Sequence, residues 1–333
     1  MEWHKIIRKL QVDISSYCNA KCPGCARNKQ GGDTKDFLSL NHFDVDIWNR
    51  LVEHDINGIE LESLRLNGNW GDAGMHPQLP QMMEKFILHH PRTSIFIATN
   101  GGMQTTQWWE KLGHIMSASA SHNVVFALDG LEDTNHIHRR NVRYNKVIEN
   151  IQAFVKGNGI ANIVFTVFDH NQHQIDDIIQ LGKDLGCFEV QIRRSFKSYM
   201  PVKTDTENYA VTSAWEKQDY DVMVNDVEPI SKLLPYEQVE TKDTKCPWYN
   251  EGEVQIDPWH NVWPCCHISC NRFYDFNDDV RIVKEIGFDK FNLKHQSLRE
   301  ILDSNYYNKT LDEAVKDASW KVCRENCDVH IDK

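Results

Sequence analysis

The sequence predicts an α/β protein, a partial (β/α)6 TIM-like barrel followed by a small α+β cysteine-rich module with a β-hairpin and helix. Three observations predict it. Six short apolar runs alternate with amphipathic helical patterns between Leu10 and Arg194, the signature of βα units on a parallel sheet. Segments rich in Cys, Asn, Asp and Gly follow the first four runs, which puts them on one face at the strands' carboxyl ends. Six of the ten cysteines then crowd the stretch after Lys245, where the βα rhythm has stopped.

The elements follow in order. Strands are expected at 10–14, 58–66, 94–98, 123–128, 162–168 and 188–192, with helices near 44–55, 77–89, 104–118, 142–156 and 172–185. The fourth helix is the clearest, because Val147, Ile151, Phe154 and Val155 form one apolar stripe facing a sheet. Six units fall short of the eight of a closed barrel, and an open side admits a large substrate. Residues 1–194 form this core, and 195–244 read as a polar, acidic connector with one or two helices and an apolar stretch at 230–234. The cysteine module spans 245–333. Its hairpin joins 253–257 to 261–263 through Pro258, Trp259 and His260, with Asn261 as the residue able to take φ > 0, and a helix follows near 297–316.

Charge and hydropathy exclude several classes. Lys plus Arg number 37 against 48 acidic residues, a net charge of -11, so the chain as a whole does not attract nucleic acid or anionic membranes. No apolar run approaches the roughly 20 residues of a membrane span, and the N-terminus lacks a signal peptide's apolar core, so a cytoplasmic enzyme is expected. In that compartment ten cysteines point to metal or cluster ligation rather than disulfides.

Cys18, Cys22 and Cys25 form C-x3-C-x2-C directly after the first strand. Three thiolates on one short loop can hold three irons of a [4Fe-4S] cluster and leave the fourth open, which suits catalysis. A zinc site is the alternative, although zinc more often uses paired C-x2-C units with a fourth ligand. The spacing and its place after the first strand resemble the radical S-adenosylmethionine (SAM) superfamily. That motif usually carries an aromatic just before the third cysteine, where this chain has Gly24. The resemblance implies SAM bound at the open iron and cleaved reductively to a 5′-deoxyadenosyl radical that abstracts hydrogen.

Other segments match the superfamily in order. Leu66-Asn67-Gly68-Asn69-Trp70-Gly71-Asp72 stands where the family's Gly-Gly-Glu-Pro segment binds the methionyl amino group, so the resemblance implies Gly68, Asn69 and Asp72 as SAM contacts. A simple strand-to-helix turn with a solvated Asp72 is the alternative. Thr99-Asn100-Gly101 is similar to a TNG seen after the third strand and adds Asn100. Asp129-Gly130, with Arg139 and Arg140 downstream, resembles the segment after the fourth strand. It implies Asp129 and an arginine for the SAM carboxylate, the other arginine serving a surface salt bridge.

The last quarter resembles the auxiliary-cluster modules called twitch and SPASM. The resemblance implies Cys246, Cys265, Cys323 and Cys327 as ligands of one auxiliary [4Fe-4S] cluster, with Cys266 and Cys270 beside it as substitute ligands, hydrogen donors or structural residues. Trp248, Trp259 and Trp263 are expected to shield it, and a four-thiolate zinc site is again the alternative. Cys187 reads as a buried small apolar residue. No H-E-x-x-H, phosphate loop or G-x-S-x-G elbow occurs.

The resulting expectation is a radical SAM enzyme acting on a peptide or protein side chain, served by an electron donor such as flavodoxin or ferredoxin. Rearrangement of a small molecule or nucleotide by the same chemistry is a second reading, and a zinc-stabilised interaction protein without catalysis is a third.

Overall fold

Alternation along each strand decides which face meets the helices. In β-strand sequences successive side chains point to opposite sides. Ile95 and Ile97, Val124 and Phe126, Ile163, Phe165 and Val167, and Val190 and Ile192 are all buried against the helical layer. Their neighbours Ala98, Val125, Ala127, Val164, Thr166 and Arg193 face inward and line a common cavity. A sheet whose inner side chains converge in this way is curved around that cavity.

The computed structural model describes residues 3–225, 246–273, 278–316 and 320–326. Six parallel strands lie side by side in chain order: β1 (Lys9–Val12), β2 (Ser63–Leu66), β3 (Ser94–Thr99), β4 (Ser121–Ala127), β5 (Ala161–Val167) and β6 (Glu189–Arg194). The intervening helices are Val45–Arg50, continued by a wider turn through Asp55, then Leu79–His89, Thr106–Met116, Tyr144–Lys156 and Ile175–Asp184. The expected βα order is therefore present. The second strand is shorter than its apolar run, because Gly58 turns the chain at φ +80 before pairing begins at Ser63.

The expected helices of the connector do not appear among its described residues. Instead β7 (Tyr199–Lys203) and β8 (Asn208–Thr212) form an antiparallel hairpin, and β9 (Tyr220–Met223) pairs antiparallel with β6. The cause is a short period-two pattern: Met200, Val202 and Val211 are buried while Tyr199 and Lys203 are exposed. The apolar stretch at 230–234 lies outside the described residues.

The C-terminal hairpin forms as expected but is continuous with the barrel sheet. Its first strand, β10 (Glu253–Ile256), pairs in parallel with β1, Leu10 opposite Val254 and Val12 opposite Ile256, and β11 (Val262–Trp263) closes the edge. The sheet thus runs β11-β10-β1-β2-β3-β4-β5-β6-β9. The φ > 0 position is His260 at +74 rather than Asn261. Asp257 fixes this choice, since its Oδ1 accepts from the backbone of Trp259 and Asn261 at 2.9 and 3.0 Å, leaving His260 at the apex. The His260 ring is held in turn, its Nε2 accepting from Asp44 N–H at 2.9 Å.

The helix expected near 297–316 is broken. Ser297 and Glu300 make a capping box for Leu298–Leu302, and after a gap the chain resumes as a wide turn at Tyr306–Thr310 and a helix at Leu311–Lys316. Asn308 Nδ2 donates to Leu302 O at 3.0 Å and Ser304 O at 3.3 Å, which satisfies carbonyls that the break would leave open. Among the described residues no helix is long and apolar enough to cross a membrane.

Candidate active site

A cavity of about 540 Å³ opens at the carboxyl ends of the parallel strands, and Cys18, Cys22 and Cys25 rim it. These residues lie in the long loop after β1, which has little regular structure and needs anchors. Buried Arg27 supplies two, donating to Trp70 O at 2.9 Å and Ser16 O at 2.7 Å, which ties the cysteine loop to the exit of β2. Asn28 Nδ2 donates to Cys22 O at 3.3 Å and closes the turn between the last two cysteines. Burial pushes the Cys18 thiol up to about 12, helped by Asp72 and Cys22, and the Cys22 thiol up to about 11. For Cys18 and Cys22 burial thus favours the protonated thiol, and binding a cation would release those protons. Among the described residues no three Cys, His, Asp or Glu side chains are close enough to hold a single metal ion. The three thiols stand around the cavity rim instead.

At the β2 exit Asp72 is buried, so it is not the solvated carboxylate of a simple turn. Its Oδ1 accepts from Gly74 N–H at 2.9 Å and Thr99 Oγ1 at 2.8 Å, and its Oδ2 from the backbone and side-chain amides of Asn100 at 2.8 and 2.7 Å. Burial raises its carboxyl above the ordinary value. About four acceptor positions exist on a carboxylate, and all are used within the chain, so Asp72 organises loops rather than offering a vacant acceptor. Asn100 carries the order onward, its Nδ2 lying 2.9 Å from Asn19 Oδ1 and 3.7 Å from Cys18 Sγ. Gly68 borders the cavity at φ +69, and a Cβ there would lie 2.6 Å from Gly71 O. Asn69 turns away, donating its N–H to Asp13 Oδ1 at 3.1 Å, and Asn67 borders the cavity in its place.

The two arginines after β4 separate cleanly. Arg139 Nε lies 2.5 Å from buried Asp129 Oδ2, and its Nη1 lies 3.9 Å from Cys22 Sγ. His138 Nδ1 joins the same carboxylate at 2.6 Å, and Thr166 N–H donates to its other oxygen at 2.9 Å. Burial alone would raise the Asp129 carboxyl, but Arg139 and His138 hold it well below the usual carboxylate range. Arg140 leaves the cavity, donating to Gly31 O and Tyr209 OH, both at 2.8 Å, and pairing with Glu207 at 2.5 Å. One arginine faces the cysteines and the other fastens the β7–β8 hairpin.

The C-terminal cysteines divide in the same way. Cys246, Cys265 and Cys323 line one small, apolar cavity of about 20 Å³, walled by Trp3, Tyr249, Ile268, Leu311, Val315 and Val322. Burial pushes the Cys265 thiol well up, with Cys266, Cys246 and Cys323 adding to it. Cys327 lies outside the described residues. Cys266 and Cys270, one turn apart on the helix Cys266–Asn271, do not line that cavity, and the Cys270 thiol is pushed up to about 12 by burial, Cys266 and Asp13. The tryptophan that lines this cavity is Trp3, which packs edge-on against Tyr249 and Tyr307 with centroids 5.2 and 5.6 Å away. None of Trp248, Trp259 and Trp263 lines this cavity. Cys187 is fully buried and its thiol raised to about 12 by burial, as a small apolar residue should be.

Several cavity residues went unread in the sequence. Val164 and Thr166 were available from the alternation of β5, whereas Arg27 and His138 depend on tertiary packing that no local pattern encodes.

Neither a protein-family model nor a curated protein sequence matches the chain. Solved structures do. The chain is similar to Streptococcus suis SuiB at 11% identity and TM-score 0.58, over 96% of this chain and 72% of SuiB. SuiB bound to its precursor peptide SuiA aligns at 13% identity and TM-score 0.55, over 92% and 67%. Histidine-tagged anSMEcpe with bound AdoMet aligns at 14% identity and TM-score 0.54, over 91% and 79%. With the cysteine loop, the cavity and the strand order described above, the chain has the fold of the radical SAM enzymes.

Proposed function

We propose that this protein is a radical SAM enzyme that modifies a peptide or protein side chain. The observation that carries the reading is the meeting of Cys18, Cys22 and Cys25 with the Arg139–Asp129 pair at one cavity. Three soft thiolate donors at one cavity, Cys22 buried and Cys18 and Cys25 half-buried, fit an iron-sulfur cluster with one open iron. When bound, that cluster supplies the electron for reductive cleavage of SAM, which delivers the hydrogen-abstracting 5′-deoxyadenosyl group.

The chain's own residues bind and orient. Arg139 presents a guanidinium beside Cys22, suited to a carboxylate ligand, and Asp129 keeps it in place. Gly68 permits close backbone approach of an ammonium, while Asp72 and Asn100 fix the loops that form that edge. Val125, Ala127, Val164 and Phe168 add apolar surface to the cavity lining, suited to an adenine ring. A volume of about 540 Å³ is within the range of small-ligand pockets. A peptide is favoured as substrate because SuiB, of the same fold, binds the precursor peptide SuiA, and anSMEcpe binds the peptide designated Cp18Cys.

Cys246, Cys265 and Cys323 are proposed to hold one auxiliary [4Fe-4S] cluster with Cys327, and a flavodoxin or ferredoxin is proposed as electron donor. The domain division at 194 and 245 is kept as a functional one, the core for SAM and the last segment for the auxiliary cluster. The test is electron paramagnetic resonance of the anaerobically reconstituted, dithionite-reduced chain. A reduced-cluster signal that changes when SAM is added is the expected result. A signal indifferent to SAM overturns the reading.

A further inference from the structure

The cysteine loop has a cover that comes from far along the chain. Gly24, between Cys22 and Cys25, has no side chain, and the space before it is filled by Met200 from β7. A Cβ on Gly24 would overlap Met200 Sδ and sit 3.3 Å from its Cγ. Met200 is 5% exposed and packs with Phe168 and Val211 in a small apolar cluster separate from the main core. Gly24, Met200 and Phe168 all line the cavity, as do Phe196 and Lys197 from the approach to β7.

The fit is repeated along the whole edge. Lys197 Nζ donates to Gly24 O at 3.0 Å, Lys203 N–H donates to Gln30 O at 3.1 Å, and Arg140 binds Gly31 O on one side and Tyr209 and Glu207 on the other. A Cβ on Gly31 would meet Arg140 Cδ at 3.2 Å and Val202 at 3.4 Å. The hairpin and its approach therefore meet the cysteine loop at both ends of the stretch from Gly24 to Gly31. Such matching is specific packing, not casual proximity.

We propose that Met200, delivered by the β7–β8 hairpin, forms an apolar wall of the SAM pocket in the space that Gly24 leaves open. The inference rests on the reading that this cavity binds SAM. SAM joins a charged amino-acid end to a flat adenine ring, and the cavity lining offers both a guanidinium and apolar side chains. Arg139 and Gly68 are among its lining residues, and so are the apolar Met200, Phe168, Val164 and Ala127. A thioether on a flexible stem adapts well to an aromatic face. Met200 is thus a positioning and affinity residue, not a participant in bond breaking.

The test is SAM affinity by equilibrium dialysis on the full, anaerobically reconstituted chain, with iron content measured on each sample. Wild type is compared with Met200→Ala, Gly24→Phe and the double variant. Met200→Ala is expected to weaken SAM binding about tenfold at unchanged iron content, through lost apolar contact. Gly24→Phe alone is expected to weaken it as well, because it collides with Met200. The double variant is expected to recover affinity, since one aromatic ring then fills the shared space. A general loss of folding cannot produce that recovery. Wild-type affinity in Met200→Ala overturns the proposal while leaving the SAM reading intact. Failure of the iron-loaded wild type to bind SAM overturns both.

Discussion

Arg139 bridges two acceptors, its Nε 2.5 Å from Asp129 Oδ2 and its Nη1 3.9 Å from the sulfur of Cys22. The pair is buried on the carboxylate side, with Asp129 wholly inaccessible. Removing one partner of a buried ion pair leaves an uncompensated charge, which costs about 3–5 kcal/mol. Arg139→Ala is therefore expected to lower the urea midpoint by that stability. Arg139→Lys should recover part of it, because a point charge cannot reproduce the guanidinium's fork.

Asp13 behaves in the opposite sense to Asp129. Burial, offset by the Asn69 amide and reinforced by Asp257, raises its carboxyl to about 7. The folded state therefore holds the proton more tightly than the unfolded chain does. Its contribution to stability is full below the ordinary value of 3.8 and is lost as pH rises toward 7. Asp13→Asn should remove this dependence and raise the melting temperature relative to wild type at pH 8. The buried Gln255 Oε1, which has no partner, can accept from the new amide once the Gln255 side chain flips. Melting curves at pH 5 and pH 8 decide it, and an equal difference at both contradicts it.

Gly71 sits where a side chain has no room. A Cβ there would overlap Ser15 O and lie 2.7 Å from Tyr17 O, both backbone atoms of the cysteine loop. Overpacking commonly costs about 1–3 kcal/mol, and more where only backbone can yield. Gly71→Ala is expected to lower the melting temperature and to impair iron uptake together, since the loop holding Cys18 must shift. An alanine variant with wild-type stability and iron would show that the loop is looser than its contacts.

The two classes of C-terminal cysteine should separate in iron counts. Cys246→Ala or Cys265→Ala is expected to remove about four iron atoms per reconstituted chain. Cys270→Ala should retain them, because Cys270 lies toward Asp13 and away from the cavity shared by Cys246, Cys265 and Cys323. Loss of iron in Cys270→Ala would reassign the ligand set.

Arg140 tests the hairpin as a fastened cover. Arg140→Ala removes bonds to Gly31, Tyr209 and Glu207 at once. Limited proteolysis is expected to cut faster between residues 195 and 212 than in wild type. Unchanged cutting would mean that Lys197, Lys203 and Met200 suffice.

Much of this was legible in the sequence, for identifiable reasons. Period-two strands and period-3.6 helices exposed the βα order, and Val147, Ile151 and Phe154 are buried as their stripe required. That Cys18, Cys22 and Cys25 come to one cavity was readable because a short loop keeps them together. Arg139 and Arg140 could not be told apart, because adjacent residues share every local property and only the folded positions of Asp129 and Gly31 separate them. The β7–β8 hairpin was missed because its strands are short and mostly exposed, so only Met200, Val202 and Val211 carried the pattern. The pairing of β10 with β1 joins residues more than 240 apart in sequence, a contact that no window can contain. His260 took the turn apex because Asp257 locks its neighbours, a choice made by hydrogen bonds rather than propensity.

The most direct test of the central claim is iron content together with 5′-deoxyadenosine formation, in wild type and in the Cys18/Cys22/Cys25→Ala variant, after anaerobic reconstitution and addition of SAM and dithionite. Wild type is expected to carry about eight iron atoms, falling to about four in the variant, with deoxyadenosine formed by the first and absent from the second. Stoichiometric zinc without iron, or deoxyadenosine undiminished in the variant, would contradict it.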